Sequence, residues 1–190
     1  MGLSSNRIVG AGEKEKRKAG DFYPTPKEAT DALLDLLCQF LPNAGGVIWE
    51  PACGENDMAD AMREKGYSVV ATDILTGTDF LTAPVPDGTA WIITNPPFSL
   101  AEQFIRRAYQ TEIPFAFLLK SQFWHAAGRL PLFDSCTPTV IAPLTWRPDF
   151  NFKSGKRGSP LMDVIWCIWF PRQTFRKYPR YIPLPKPKNK

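Results

Sequence analysis

Asn95-Pro96-Pro97-Phe98 follows directly on the apolar run Trp91-Ile92-Ile93-Thr94, and it is the segment whose residue types can do chemistry. The Asn95 side-chain carbonyl and the Pro96 backbone carbonyl can both accept hydrogen bonds from one exocyclic amine. Phe98 offers a flat face on which a base can stack. Two adjacent prolines restrict the backbone of the turn and donate nothing, so its carbonyls stay available to a ligand. Such a set suits transfer of a methyl group to a planar amine. Pro-Pro after a strand is also an ordinary way to end that strand, so the surrounding elements must decide between the two readings.

Those elements alternate between strand and helix. Residues 1–20 are polar and poor in apolar side chains, which predicts a mobile arm outside the core. Thr25-Pro26-Lys27-Glu28 reads as a capping box with proline at the first helical position, and Ala29, Leu33, Leu37, Phe40 and Leu41 continue it as a helix over 26–41. A strand over 47–49 leads into Glu50-Pro51-Ala52-Cys53-Gly54-Glu55-Asn56. A helix over 57–65 then stops at Gly66, and a strand over 67–72 stops at Asp73. Strand, glycine-containing turn, helix and strand make a parallel βαβ unit. The alternation continues with a strand over 91–94, a helix opened by a second capping box in Ser99-Leu100-Ala101-Glu102, and a strand over 115–119. A short helix over 122–127 ending at Gly128 and strands near 140–142 and over 164–170 complete the expected α/β sheet.

In open α/β sheets ligands lie beyond the carboxyl ends of the strands, which puts the Glu50-to-Asn56 loop, Asp73 and the Asn95 turn along one edge. Asp73 comes 19 residues after Gly54, near the spacing at which an acid meets ribose hydroxyls; a helix cap or turn acid is the competing reading. The loop lacks Gly-x-Gly-x-x-Gly, and Glu55 and Asp57 would repel a pyrophosphate. A cofactor without phosphates that carries a sulfonium and an ammonium fits better, and S-adenosylmethionine is that cofactor. Glu50 either pairs with the ammonium or closes the strand end structurally. Cys53 reads as a small packing residue, since no base motif accompanies it.

Composition narrows the class. The 190 residues, 44% hydrophobic and 13% aromatic, suit one globular domain. The longest apolar run, 164–170, is too short to span a bilayer and no signal-peptide stretch opens the chain, so a soluble, cytoplasmic protein is expected. Gly2 is followed by Asn6 where a myristoylation site needs Ser or Thr, so no lipid anchor is implied. Four cysteines without Cys-x-x-Cys spacing and the lone His125 predict free thiols and no metal. Residues 171–190 hold seven Lys or Arg and no acid, which leaves −3 on the rest of a chain whose formal charge is +4. That end reads as a phosphate-binding tail or as a solvated terminus.

With these residues in order, the chain resembles the adenine-specific DNA N6-methyltransferases whose cofactor motifs precede the catalytic motif (the gamma-type order), particularly the small phage and prophage enzymes. Asp21-Phe22-Tyr23-Pro24-Thr25-Pro26 resembles the N-terminal motif whose Tyr, Thr and Pro surround the methionine part of the cofactor. Glu50-Pro51-Ala52-Cys53-Gly54 is similar to the cofactor loop, Asp73 followed by Ile74 to the ribose-binding position, and Asp79-Phe80-Leu81 to the segment that recognises the cofactor's adenine. Asn95, Pro96, Pro97 and Phe98 match the catalytic motif. The resemblance implies a Rossmann-like class I methyltransferase fold, mostly parallel with a final antiparallel strand. It further implies a catalytic domain over 21–171 followed by a basic tail over 172–190, and extrusion of the target base from DNA. Asn56 stands where such loops carry glycine, and Asn tolerates positive φ best among the other residues. At 190 residues the chain is expected to carry no separate target-recognition domain.

The stretch 146–158 mixes cations with aromatics. Arg147, Lys153, Lys156 and Arg157 are expected to meet phosphates, and Phe150 or Phe152 either supplies a second stacking face or packs in the loop. Methyl transfer to adenine in DNA is the leading expectation. A methyltransferase on RNA adenine or on a protein glutamine amide, and an inactive nucleic-acid-binding relative, are the alternatives.

Overall fold

The computed structural model describes residues 23–38, 46–154, 162–172 and 178–188. The expected 1–20 arm, Asp21, Phe22, the end of the first helix, Lys156 and Arg157 lie outside them.

Helix α1 (Lys27–Leu37) precedes β1 (Val47–Glu50), α2 (Asp57–Glu64), β2 (Ser68–Ala71) and β3 (Thr89–Thr94). There follow α3 (Ala101–Gln110), β4 (Phe115–Lys120), the short α4 (Leu130–Ser135), β5 (Val140–Pro143), β6 (Val164–Trp169) and β7 (Arg180–Tyr181). Among the described residues the strands form one sheet in the order β2-β1-β3-β4-β6-β5-β7. β6 runs antiparallel to both of its neighbours, and every other pair is parallel. This is the Rossmann-like methyltransferase architecture, with its reversed strand at the apolar run 164–169.

The strands are apolar on both faces because both faces are covered. Successive side chains alternate between two cores. Ile48, Ile93, Ala116, Leu118 and Trp166 pack with Leu33, Leu37, Met58 and Met62 of α1 and α2. Trp49, Ile92, Phe117 and Trp169 pack on the opposite face with Phe104 and Ile105 of α3. Across that second core Phe115 stacks on Trp169 with ring centroids 4.6 Å apart. Buried indoles find acceptors, among them Trp166 Nε1 at the Ala29 carbonyl and Trp169 Nε1 at the Cys136 carbonyl, each 2.8 Å away. The cysteines are free thiols.

Several local expectations are corrected. The first capping box does not form, since Pro26 is the N-cap residue of α1 without a side-chain cap, and α3 begins after a 3₁₀ turn, Phe98–Leu100, that contains Ser99. The helix expected over 122–127 is instead two 3₁₀ turns, Ser121–Trp124 and Ala127–Arg129. Gly66 caps α2 at φ 88°, as its position implied. The chain's basic end does not begin as a free tail. β7 adds to β5, and Leu184 is buried, its N–H donating to the Pro143 carbonyl at 2.8 Å while its carbonyl accepts from Thr145 N at 2.9 Å. Leu184→Ala should therefore lower the unfolding free energy by about 2–3 kcal/mol, the usual cost of emptying a buried leucine site. Urea denaturation checks this, and unchanged stability would remove residues 180–184 from the folded unit.

Candidate functional site

The strand order turns around between β1 and β3, since β1 leads outward to β2 while β3 lies on its other side. A crevice at the carboxyl ends of the strands belongs at that point. A cavity of about 410 Å³ opens there, within the range of small-molecule sites. Tyr23 and Thr25 line it from the segment before α1, and Glu50 and Ala52 from the end of β1. Asp73, Ile74, Asp79 and Phe80 line it after β2, and Asn95 and Pro97 after β3. Pro26, Gly54, Pro96 and Phe98 do not line it: Pro26 and Pro96 are buried behind it, and Gly54 acts through its backbone.

Asn95 is held by the residues before α1. Its Nδ2 donates to the Tyr23 carbonyl at 3.2 Å and to Thr25 Oγ1 at 3.1 Å. Both amide hydrogens are therefore engaged, and Oδ1 is left buried with no partner among the described residues. An orphaned buried acceptor costs about 1–3 kcal/mol, so a donor arriving in the cavity would recover that energy. Pro97 lines the cavity beside it while Pro96 closes the turn's back.

Phe98 does not present an open face. The Lys120 ammonium, at the end of β4, sits 4.0 Å from its ring centroid and 5.1 Å from that of Tyr23, whose ring tilts against Phe98 at 5.4 Å. Sequence reasoning missed Lys120. A lysine closing a strand carries no signal by itself, and only the parallel register of β3 and β4 brings it beside the Asn95 turn.

The loop after β1 is built as its residues imply. Gly54 (φ 52°) and Asn56 (φ 68°) both take positive φ, and Asn56 heads α2. Asp73 fastens this loop: Oδ2 accepts from Gly54 N and Oδ1 from Leu75 N, each at 2.9 Å. It is thus a cap, as the competing reading had it, and each oxygen keeps a lone pair for a further donor. Asp79 Oδ1 accepts from Leu81 N at 2.9 Å, and Phe80 is buried edge-on to Trp49 at 5.0 Å, forming the cavity's inner wall. Ile74 and Leu75 stand 60% and 85% exposed at the rim, an apolar lip on which a flat ligand can rest. Leu75, Thr78 and Leu100 also line it and were not singled out in sequence, because nothing in their types separates them from ordinary loop residues.

Glu50 is buried, and desolvation pushes its carboxyl up to about 8, against a smaller opposing contribution from the Ala59 backbone N–H. Its Oε2 has no partner among the described residues. The cavity thus contains a carboxyl whose charged form, only partly supported by the Ala59 N–H and the Arg63 charge, an incoming cation would stabilise further. Burial likewise pushes the Cys53 thiol up to about 11, consistent with a packing residue and not a nucleophile.

Of the expected nucleic-acid residues that are described, both cations are engaged in ion pairs. Arg147 Nε donates to Asp163 Oδ1 at 2.7 Å, and Lys153 Nζ lies 2.8 Å from Glu55 Oε2 and 2.6 Å from Asp57 Oδ1, tying residues 152–154 to the loop after β1. Phe150 is buried against the edge of Tyr23 at 6.1 Å, so the packing reading holds for it, whereas Phe152 is exposed.

No family model matches the sequence, and no curated protein matches it significantly. Solved structures do match in fold. The methyltransferase subunit of a type I restriction-modification system from Streptococcus thermophilus superposes with a TM-score of 0.57 at 14% identity, over 80% of this chain and 45% of that one. A protein described as an RNA methyltransferase from Pyrococcus horikoshii gives 0.56 at 13% identity, over 77% and 84%. The type IIG restriction endonuclease BpuSI gives 0.55 at 14% identity, over 81% and 26%. The chain therefore spans under half of the first and about a quarter of the third, and what it shares with all three is the Rossmann-like fold of methyltransferases.

Proposed function

We propose that this chain transfers a methyl group from S-adenosylmethionine to the N6 amine of adenine in DNA. The observation that carries the reading is Asn95 Oδ1, a buried acceptor without a partner, fixed in a cavity at the sheet's switch point. An aromatic amine is a poor nucleophile because its lone pair is delocalised into the ring. A carbonyl acceptor, Asn95 Oδ1, favours the pyramidal nitrogen whose lone pair is free to attack, whereas Pro96, which does not line the cavity, would have to be reached by the amine from the turn itself. When bound, the cofactor supplies an electrophilic sulfonium methyl: the new N–C bond forms as the C–S bond breaks, and the amine's proton leaves to water. Glu50 would pair with the ammonium, Asp73 would accept from ribose hydroxyls with its remaining lone pairs, and Ile74, Asp79 and Phe80 would hold the adenine ring.

A base stacking on Phe98 has to exchange with the Lys120 ammonium, which would then be free to meet the nucleotide's phosphate. DNA as the substrate is supported by the resemblance of the Asn-Pro-Pro-Phe turn and by Lys153, whose ammonium reaches Asp57 of the cavity lining, with the exposed Phe152 next to it in the chain. Two of the three matched structures belong to restriction systems.

Incubated with labelled S-adenosylmethionine and equal amounts of DNA, RNA and glutamine-containing peptide, the protein should label DNA, and nucleoside mass spectrometry should find N6-methyladenine. Asn95→Ala should lower kcat about 100-fold, as loss of a group acting on the transition state does, with cofactor affinity kept within a few-fold. Label in RNA or peptide alone would replace the substrate, and label in none of the three would sink the reading. Glu50 gives a second expectation. Its carboxyl is raised in the folded protein, so its contribution to stability is present below the unfolded value near 4.5 and is lost as pH rises toward about 8. Between pH 5 and 8 the wild type should lose stability relative to Glu50→Gln, by at most about 1.4 kcal/mol per pH unit. A saturating cationic cofactor should abolish that slope and release a proton on binding at pH 7, measurable by calorimetry in buffers of different ionisation enthalpy. Equal slopes for the two proteins would show that Glu50 titrates normally.

A further inference from the structure

We propose that Thr25 is a positioning residue for Asn95: with the Tyr23 carbonyl it fixes which end of the carboxamide faces the cavity. The inference rests on the reading that Asn95 receives a substrate amine. It departs from the role that the resemblance implies for Thr25, which is contact with the methionine part of the cofactor.

A carboxamide has an acceptor end and a donor end of nearly the same shape, and only the acceptor end helps an amine to attack. Turned over, Asn95 would present Nδ2 to that amine, donor against donor. The Tyr23 carbonyl, 3.2 Å from Nδ2, decides the polarity, because a backbone carbonyl can only accept and would repel Oδ1. It engages one hydrogen, however, and leaves the other to be lost to any competing acceptor. Thr25 Oγ1 takes that second hydrogen at 3.1 Å. A hydroxyl with helix-capping chemistry stands at the head of α1, yet α1 has no side-chain cap. Thr25 is 5% exposed, and its hydroxyl is directed to a residue 70 positions away in sequence. The two acceptors come from one short segment that is pinned on both sides. Thr25 is buried at the start of α1, and the Tyr23 ring is wedged between Phe98 and Phe150. The rings that frame the Asn-Pro-Pro-Phe turn therefore also hold the carbonyl that orients its asparagine.

Thr25→Val keeps the shape and removes the acceptor, whereas Thr25→Ser keeps the acceptor. A positioning role predicts that Thr25→Val lowers kcat about tenfold, corresponding to about 1.4 kcal/mol, while the dissociation constant for S-adenosylmethionine stays within threefold. Thr25→Ser should restore kcat to within about twofold. Independently of catalysis, the Asn95 side-chain amide protons, assigned by their loss in Asn95→Asp, should exchange with water about tenfold faster in Thr25→Val than in wild type or Thr25→Ser. Unchanged amide exchange in Thr25→Val overturns the proposal, as does a loss of cofactor affinity matching or exceeding the loss in kcat. Should the wild type methylate no nucleic acid or peptide, the reading of the site fails, and the exchange comparison still decides whether Thr25 holds Asn95.

Discussion

Burial of the central strands on both faces is the constraint from which the rest follows. Trp49, Ile92, Phe117 and Trp169 point into one core and Ile48, Ile93, Leu118 and Trp166 into the other, so no face of β1, β3, β4 or β6 is left for a ligand. Polar chemistry can only gather where the strands end. The inner parallel strands β1, β3 and β4 end at or just before a residue that would be costly inside the sheet: β1 on Glu50, β3 ahead of Asn95 and β4 on Lys120. Because these strands are parallel, the three groups arrive at the same edge.

The electrostatics of that edge are asymmetric. Glu50 is dry and unpaired at Oε2, whereas the acids of the neighbouring loop, Glu55 and Asp57, are engaged by Lys153 from across the crevice. A polyanionic ligand would meet the carboxylates of Glu55 and Asp57, with one lysine between them, and would find in Glu50 no positive charge to offset its own. A cationic one meets a buried acid unpaired at Oε2, and desolvation is what makes that acid responsive. This asymmetry separates the site from the phosphate-cradling glycine loops that share the βαβ topology, more firmly than the missing glycines do.

The alternation of strands and helices was legible from residue types because these segments are strongly periodic and bounded by Gly66, Pro51 and Pro96, and the element boundaries fall within a few residues of those the patterning implies. What misled were local signals overridden by distant partners. Thr25 and Glu28 have the spacing of a capping box, but the Thr25 hydroxyl meets Asn95 instead of the helix. β7 was invisible because two exposed residues between prolines have no periodicity, and their pairing is set by β5. Phe150 shows the same limit: in a run of cations and aromatics nothing local separates the ring that packs from the ring that is exposed, and its burial depends on Tyr23, 127 positions away. The site's composition could be read in sequence, and its hydrogen-bond polarity could not.

How such a compact unit could hold a nucleic acid follows from the state of its cations. Arg147 and Lys153 are tied to Asp163 and to Glu55 and Asp57, but these pairs are exposed, and exposed ion pairs contribute little because water already solvates each partner. A phosphate can therefore replace the carboxylate at little cost. The replacement is not neutral for the loop after β1, since moving Lys153 to a phosphate leaves Glu55 and Asp57 uncompensated beside Glu50. A cationic cofactor already bound in the crevice would offset that loss. On the proposed reading, Lys153 is the group through which a cation in the crevice and a phosphate at residues 152–154 would influence each other.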